Sequence, residues 1–252
     1  MLKLATQDDL SNILSFCEND LLGTRIACYC LAYGFEYDFL RVWYDDSSGK
    51  IETVLAKFYD AVTLKTESES VDEISDFIRM IGFSTLETNS QTCKKLGMTP
   101  SSVKKTYIFN GKAENMGAVS LTEDYYKQLY SLISKNIPDS FVDSKDAYLS
   151  FLSDFSYRSR RGLARCKGII RDSQLVSSVM TSAESKKSAL ISGVASDKNL
   201  RGQGLGRKTV LTMVDELVGE GKKVYVTALN ESAEGFYEKI GFVYNEDIAI
   251  VI

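Results

Sequence analysis

The sequence predicts a mixed α/β protein in which one fold occurs twice in tandem. A short strand followed by a threonine helix cap occurs at Thr6 and again at Thr122, 116 positions later. The segments KKLGM (94–98) and EKIGF (238–242), 144 positions apart, each end a helix with a glycine and then begin a strand. Only two prolines occur in 252 residues, so the elements between these markers are uninterrupted.

The first copy opens with LKLATQDDLSNILSFC, which predicts a short strand, Thr6 as a cap, acidic residues in the first turn and a helix. Its remaining elements follow from alternating and helical patterns and from turn residues. They are the helix TRIACYCLAYG, the β-rich segments DFLRVWYDD and IETVLAKFYDAVTLKT joined by the turn DSSGK, the helix SVDEISDFIRMIG with a serine cap, the strand FSTLET, the helix SQTCKKLG and the strand KKTYIFNG.

The second copy repeats this opening in GAVSLTEDYYKQLYSLI, with Thr122 as the cap. Antiparallel strands come first and strand–helix–strand units follow. The elements are the helix SKDAYLSFLSDFSYRSR, the hairpin LARCKGIIRDSQLVSSVMTSA turning at 171–173, the strand SALISGVAS, the helix GRKTVLTMVDELVGEG, the strand KKVYVTAL, the helix SAEGFYEKIG and a final pair of strands in FVYNEDIAIVI. We expect the two domains to occupy residues 1–111 and 112–252.

Composition excludes several classes of protein. The 30 basic and 34 acidic residues give a net charge of −4, which does not favour a nucleic-acid partner. We expect neither a secretory signal in MLKLATQDDL nor a membrane partner, because no apolar run reaches the length of a span. The five cysteines are scattered and there is no histidine, so we expect no metal site and free thiols in a cytoplasmic protein.

The glycine-rich loop after SALISGVAS carries the strongest chemical signal. RGQGLGRK places Gly202, Gly204 and Gly206 between a strand and a helix. Glycines allow backbone N–H groups to face an anion, and the helix N-terminus adds partial positive charge. The loop is neither a P-loop, because Gly206 is followed by Arg207, nor a dinucleotide fingerprint, because its third glycine comes one position early. It predicts a phosphate or pyrophosphate ligand.

The pattern R-x-x-G-x-G, formed by Arg201, Gly204 and Gly206, resembles the GNAT superfamily of N-acetyltransferases. GVAS before the loop, Asn230 and Tyr237 after the next strand, and the closing EKIGF stand at the family's usual spacings. The resemblance is close from 188 to 242 and looser back to 118. It implies two tandem GNAT-like domains, each a mixed, mostly antiparallel twisted sheet flanked by helices.

The resemblance also implies acetyl-CoA as co-substrate, without a metal. Backbone groups of 194–196 would contact pantetheine and the thioester, where two strands splay apart, and the loop would hold the pyrophosphate. The implied binding residues are Val194, Ala195, Ser196, Arg201, Gly202, Gln203, Gly204, Leu205, Gly206, Arg207 and Asn230. Tyr237 resembles the family's general acid, whose phenol can protonate the departing thiolate.

A general base is harder to assign. No histidine is present, and Tyr225 stands where some relatives carry a glutamate. Glu184 is the candidate base, and Asp154 and Tyr157 also lie in segments that would face a substrate. Each is also compatible with an ordinary surface or packing role. Either water serves as base or the acceptor is not a simple amine.

The first copy lacks the cofactor loop. ESESVDEI follows its strand, with no glycine and with acids that would repel a pyrophosphate, and Cys93 stands at the position of the general acid. We therefore expect a degenerate domain at 1–111 that walls the acceptor groove, and an N-acetyltransferase domain at 112–252 that acts on a small-molecule or peptide amine. The alternatives are a non-catalytic acyl-CoA-binding or regulatory module, and a transferase of another acyl or aminoacyl group.

Overall fold

A computed structural model describes residues 1–137 and 141–252. The first half contains six strands and four α-helices, with a 3-10 turn at Gln7–Asp9 between the first strand and the first α-helix and Thr6 as the cap of that turn. These elements are β1 (Lys3–Leu4), α1 (Leu10–Cys17), α2 (Leu21–Tyr33), β2 (Leu40–Asp45), β3 (Thr53–Phe58), β4 (Ala61–Thr66), α3 (Asp72–Ile81), β5 (Thr85–Asn89), α4 (Ser90–Lys95) and β6 (Ser102–Phe109).

The second half repeats this order and also begins with one 3-10 turn, Glu123–Tyr125, capped by Thr122. Its elements are β7 (Val119–Ser120), α5 (Tyr126–Asn136), α6 (Lys145–Ser159), β8 (Cys166–Arg171), β9 (Gln174–Glu184), β10 (Ser188–Ser196), α7 (Leu205–Gly219), β11 (Lys223–Thr227), α8 (Glu231–Lys239) and β12 (Phe242–Val251). Among the described residues, no helix combines the length and the apolarity needed to cross a membrane.

Two local predictions are wrong. FVYNEDIAIVI forms one strand and not a pair, because β12 passes its polar centre through a register shift between Tyr244 and Glu246 and stays paired with β6. The predicted serine cap of α3 is replaced by Val71, which makes no side-chain cap bond. Val71 is instead buried in a cluster with Ile74 and Ile78, so packing fixes the start of this helix.

The described strands form one sheet in the order β1-β2-β3-β4-β5-β12-β6-β11-β10-β9-β8-β7. Its pairs are antiparallel except β4 with β5 and β10 with β11. Each parallel pair encloses one crossover helix, α3 in the first half and α7 in the second. The predicted fold class, a mixed and mostly antiparallel sheet flanked by helices, is confirmed.

The last strand of each half lies next to the fifth strand of the other half. β12 pairs with β5 through Ile248–Val251 and with β6 through Phe242–Ile250. β6 in turn pairs with β11 through Thr106–Ile108. The halves therefore exchange their final strands and share one continuous hydrogen-bonded sheet.

Helix α2 of the first half packs against the sheet of the second half. It begins at the Asp20 cap, whose carboxylate accepts a hydrogen bond of 2.6 Å from the Gly23 N–H. Its buried Leu21, Leu22 and Cys28 pack in one apolar cluster with Ala183, Leu190, Tyr225 and Ile248. This packing places α2 beside the end of β10 where the candidate site lies.

Candidate active site

A cavity of about 1410 Å³ opens beside the carboxyl ends of the parallel strands β10 and β11. The second half supplies the glycine-rich loop, the end of β10 and one face of α8. The first half supplies Leu21 and Arg25 from α2, Glu87 from β5 and Lys104 from β6. A concave site at a point where strands diverge is the usual location of a ligand in such folds.

The divergence of β10 and β11 is present in the structure. Their pairing ends at Ile191 and Val226, although β10 continues to Ser196. On its other side, β10 shifts register against β9 between Ser192 and Ala195. Gly193 sits in this bulge at φ 58°, where a Cβ would approach Met180 and Ile133 to 2.7 Å. Because pairing with β11 ends at Ile191, the β10 backbone groups beyond it on that side are available to a ligand in the cavity.

The glycine-rich loop forms the N-terminal end of α7. Gly202 and Gly204 have φ values of 80° and 72°, a left-handed conformation that glycine adopts without strain. Gly204 is the N-cap of this 15-residue helix and supplies no side-chain cap. The first backbone N–H groups of α7 therefore face the cavity without a side chain in the way, and Arg207 lines the cavity beside them.

The two other predicted contacts lie on α8, which forms one wall of the cavity. Asn230 caps this helix, and its Oδ1 accepts a hydrogen bond of 3.0 Å from the Ala233 N–H. About two turns later, the Tyr237 ring is buried between Phe236 and Phe242, with centroid distances of 5.2 and 5.4 Å. Burial raises the pKa of the Tyr237 hydroxyl above its ordinary value, so it is a proton donor at neutral pH.

The structure brings nearly all the predicted site residues together around this cavity. Those that line it are Val194, Ala195, Ser196, Arg201, Gly202, Gly204, Leu205, Gly206, Arg207, Asn230 and Tyr237. Gln203 is not among the lining residues, and its Oε1 accepts a hydrogen bond of 2.9 Å from Arg171. Glu184 is not among them either.

Glu184 lies in a buried ion-pair network behind the sheet. Its carboxylate is fully buried and contacts Arg165 at 2.8 Å and Lys222 at 2.7 Å. Arg165 also binds Glu220, and this hydrogen bond lowers the pKa of Glu220 to about 2. A carboxylate held by two cations away from the cavity cannot accept a proton from a substrate there. This placement argues against Glu184 as the base.

Replacing Glu184 with glutamine should lower stability and leave catalysis unchanged. The substitution leaves the buried cations Arg165 and Lys222 short of one counter-charge, at a cost of about 3 kcal/mol. Urea unfolding should therefore show a lower midpoint, while kcat/KM of the folded enzyme stays at the wild-type value. The exposed Glu36, changed to glutamine, serves as the control without a shift. A selective loss of kcat in Glu184→Gln would restore Glu184 as a base.

The first half has a much smaller opening at the corresponding place. Here the pairing of β4 with β5 ends at Thr63 and Glu87, and the pocket beyond that pair measures about 160 Å³. The side chain of Lys65 lines it and forms an ion pair with Asp20. Cys93 is buried with its pKa raised by burial, which is the behaviour of a packing residue. The small size of this pocket and the burial of Cys93 agree with the prediction that the first copy lacks a cofactor site.

Sequence reasoning missed the first-half residues of the cavity. Arg25, Glu87 and Lys104 lie at least 97 positions before the predicted loop residues, which begin at Arg201, and belong to no motif. The exchange of β6 and β12 places β6 next to β11 and β5 three strands from it in the same sheet. An alternation of polar and apolar residues in β5 could have indicated an exposed face, but not which cavity it meets.

The comparisons with known proteins agree with this geometry. Residues 126–242 match the model of the Acetyltransferase (GNAT) family. No curated protein matches the sequence significantly.

Several solved structures share the fold. A tandem GNAT protein from the clavulanic acid biosynthesis pathway is 12% identical, with a TM-score of 0.64 over 99% of this chain and 97% of that chain. A GNAT-family acetyltransferase from Colwellia psychrerythraea is 10% identical, with a TM-score of 0.61 over 99% and 98%. A GNAT-family acetyltransferase structure from Novosphingobium aromaticivorans is 19% identical over 60% of this chain and 65% of that chain, with a TM-score of 0.47. Residues 126–242 are thus similar to the acetyltransferase (GNAT) family, and the chain as a whole has the fold of a tandem GNAT protein.

Proposed function

We propose that this protein transfers an acetyl group directly from acetyl-CoA to an amine, with both substrates bound at once. One observation carries the proposal. A single cavity contains a glycine-rich helix N-terminus, a diverging strand pair and a buried tyrosine hydroxyl. These are an anion site, a set of backbone donors and an acid, which together are what acyl transfer from a thioester requires.

The loop residues fit coenzyme A. Gly202 and Gly204 leave backbone N–H groups accessible at the start of α7, and Arg201 and Arg207 add positive charge. No acidic residue occurs between 198 and 214 that would repel a pyrophosphate. The bound co-substrate would supply the activated acetyl group and a thiolate leaving group.

The protein's own groups would act at two points of the reaction. Backbone N–H groups of β10 near Val194 would polarise the acetyl carbonyl as charge develops on its oxygen. The Tyr237 hydroxyl would donate its proton to the sulfur as the carbon–sulfur bond breaks. The attacking neutral amine gives up one proton to water, and water returns one proton to the Tyr237 oxygen. The proton that Tyr237 gave to the sulfur is thereby replaced.

Steady-state kinetics tests this proposal. CoA release is measured with a panel of primary amines while both substrate concentrations vary. We expect intersecting double-reciprocal plots, because direct transfer requires both substrates on the enzyme. Acetyl-CoA binding without CoA release for any amine would indicate the non-catalytic module instead. An acyl-CoA other than acetyl-CoA, or an aminoacyl-tRNA, retained on purification and found by mass spectrometry, would indicate a transferase of another group.

A further inference from the structure

One part of the cavity is built by the first half and is charged. Arg25 on α2 and Glu87 on β5 both line it, and their Nη1 and Oε2 atoms lie 2.6 Å apart. Their side chains are 25% and 21% exposed, so the pair is largely withdrawn from solvent. Neither residue belongs to the glycine-rich loop or to the wall that carries Tyr237.

This ion pair leaves most of its hydrogen-bonding capacity unused. A guanidinium carries five N–H donors. In the described part of the chain, Arg25 has no other ion-pair partner and its side chain makes no hydrogen bond of good geometry. Glu87 Oε2 is buried and likewise receives no hydrogen bond of good geometry within residues 1–137 and 141–252. Buried polar groups are normally satisfied, so free donors beside a cavity indicate a polar ligand.

The surroundings favour an anionic group on that ligand. Glu87 lies opposite Ile250 in the sheet, and Lys104 lies opposite Ile248. All four line the cavity, and Leu21 adds a further apolar side chain. This part of the cavity thus contains two cations, Arg25 and Lys104, and one carboxylate, Glu87, among apolar side chains, so its net charge is positive. The fork of a guanidinium matches a carboxylate in two parallel hydrogen bonds.

We propose that Arg25 binds a carboxylate of the acceptor, which is a small molecule carrying both an amine and a carboxylate. The inference rests on the proposed function, since it names the substrate class of that site. Glu87 holds the guanidinium in place, and the amine end of the acceptor extends from there toward the end of β10. β5 lies three strands from β11, a lateral distance of about 14 Å at the usual strand spacing. The ligand therefore lies across the junction of the two halves.

Matched acceptors test the proposal. ω-Amino acids of increasing chain length are each compared with the amine that lacks the carboxylate. We expect kcat/KM to favour the amino acid at least 30-fold at the best chain length, because truncating one partner of a buried charge pair has effects of this size. In Arg25→Met the preference should vanish, chiefly through a higher KM for the amino acid, while kcat/KM for the plain amine falls much less than kcat/KM for the amino acid. Arg25→Lys, which keeps the charge without the fork, should be intermediate.

Two further variants separate recognition from folding. Arg41→Met makes the same change at a surface ion pair of the first half and should keep the full preference. Glu87→Gln, which removes a competing carboxylate, should bind the amino acid at least as tightly as wild type. Equal rates on both members of every pair in the wild type, or equal losses on both in Arg25→Met, would overturn the proposal.

A direct binding measurement keeps this test independent of turnover. Calorimetry of the ω-amino acid against the full chain saturated with CoA should give a dissociation constant that rises at least 30-fold in Arg25→Met. If no amine is acetylated but this binding is present, the proposed function fails and the carboxylate site stands. If amines are acetylated but no ω-amino acid binds, the carboxylate site fails and the proposed function stands.

Discussion

Replacing Gly204 with valine is expected to abolish acetyl-CoA binding while the protein stays folded. Gly204 has a φ of 72° and caps α7, so a β-branched residue must either strain the backbone or move the first turn. Either response turns the N–H groups of α7 away from the place where a pyrophosphate would lie. Calorimetry should therefore detect no heat of acetyl-CoA binding at concentrations that saturate the wild type.

A second glycine of the same helix provides the matched control. Gly221 follows the C-terminus of α7 with a φ of 77° and open space around it, and it does not line the cavity. Gly221→Val should cost a similar 1–3 kcal/mol of stability and leave acetyl-CoA affinity unchanged. Unchanged affinity in Gly204→Val would refute the assignment of the loop, and a loss in both variants would point to general destabilisation.

Gly206 is subject to a different constraint. Its φ is not in the left-handed region, and an added Cβ would meet Phe236 and Ser196 only at 3.6 Å, an ordinary contact. A substitution at Gly206 therefore acts through the ligand's approach and not through the fold. Of the two glycines, Gly204 is accordingly the sharper test.

Replacing Tyr237 with phenylalanine is expected to lower kcat about 100-fold and leave the KM for acetyl-CoA unchanged. General acid catalysis by a positioned group contributes roughly 10²- to 10⁴-fold, and the lower figure applies where water can substitute. The thermal midpoint should hardly change, because within the described residues the Tyr237 hydroxyl makes no hydrogen bond and its ring contacts are retained. Single-turnover measurement of CoA release checks the effect on the chemical step.

Tyr225→Phe is the control for this substitution. The Tyr225 hydroxyl donates a hydrogen bond of 2.8 Å to the Asn19 carbonyl, and burial raises the pKa of Tyr225 to about 12. Its loss should cost about 1 kcal/mol of stability without lowering kcat. Wild-type turnover in Tyr237→Phe would remove the general acid from the mechanism.

Local sequence patterns predicted the elements and the cofactor side of the site. The glycines of the loop, the Asn230 cap and the 188–196 strand are short-range signals, since each depends on residues within one turn or one strand. The fate of Glu184 could not be predicted, because its partners Arg165 and Lys222 are brought to it by β9 and by the end of α7. The acceptor side depends on pairings between residues such as Glu87 and Ile250, 163 positions apart.

The exchange of final strands also has a consequence during synthesis on the ribosome. When only the first half has emerged from the ribosome, one edge of β5 is unpaired, because its partner segment Ile248–Val251 has not yet been made. β6 is likewise unpaired on the β12 side until Phe242 and the residues after it have been made. Open strand edges invite pairing with other chains, and pairings across long sequence separations form slowly. The nascent protein therefore depends on protection of these edges until β12 pairs with both strands. The sheet of the first half is completed only by the residues that are synthesised last.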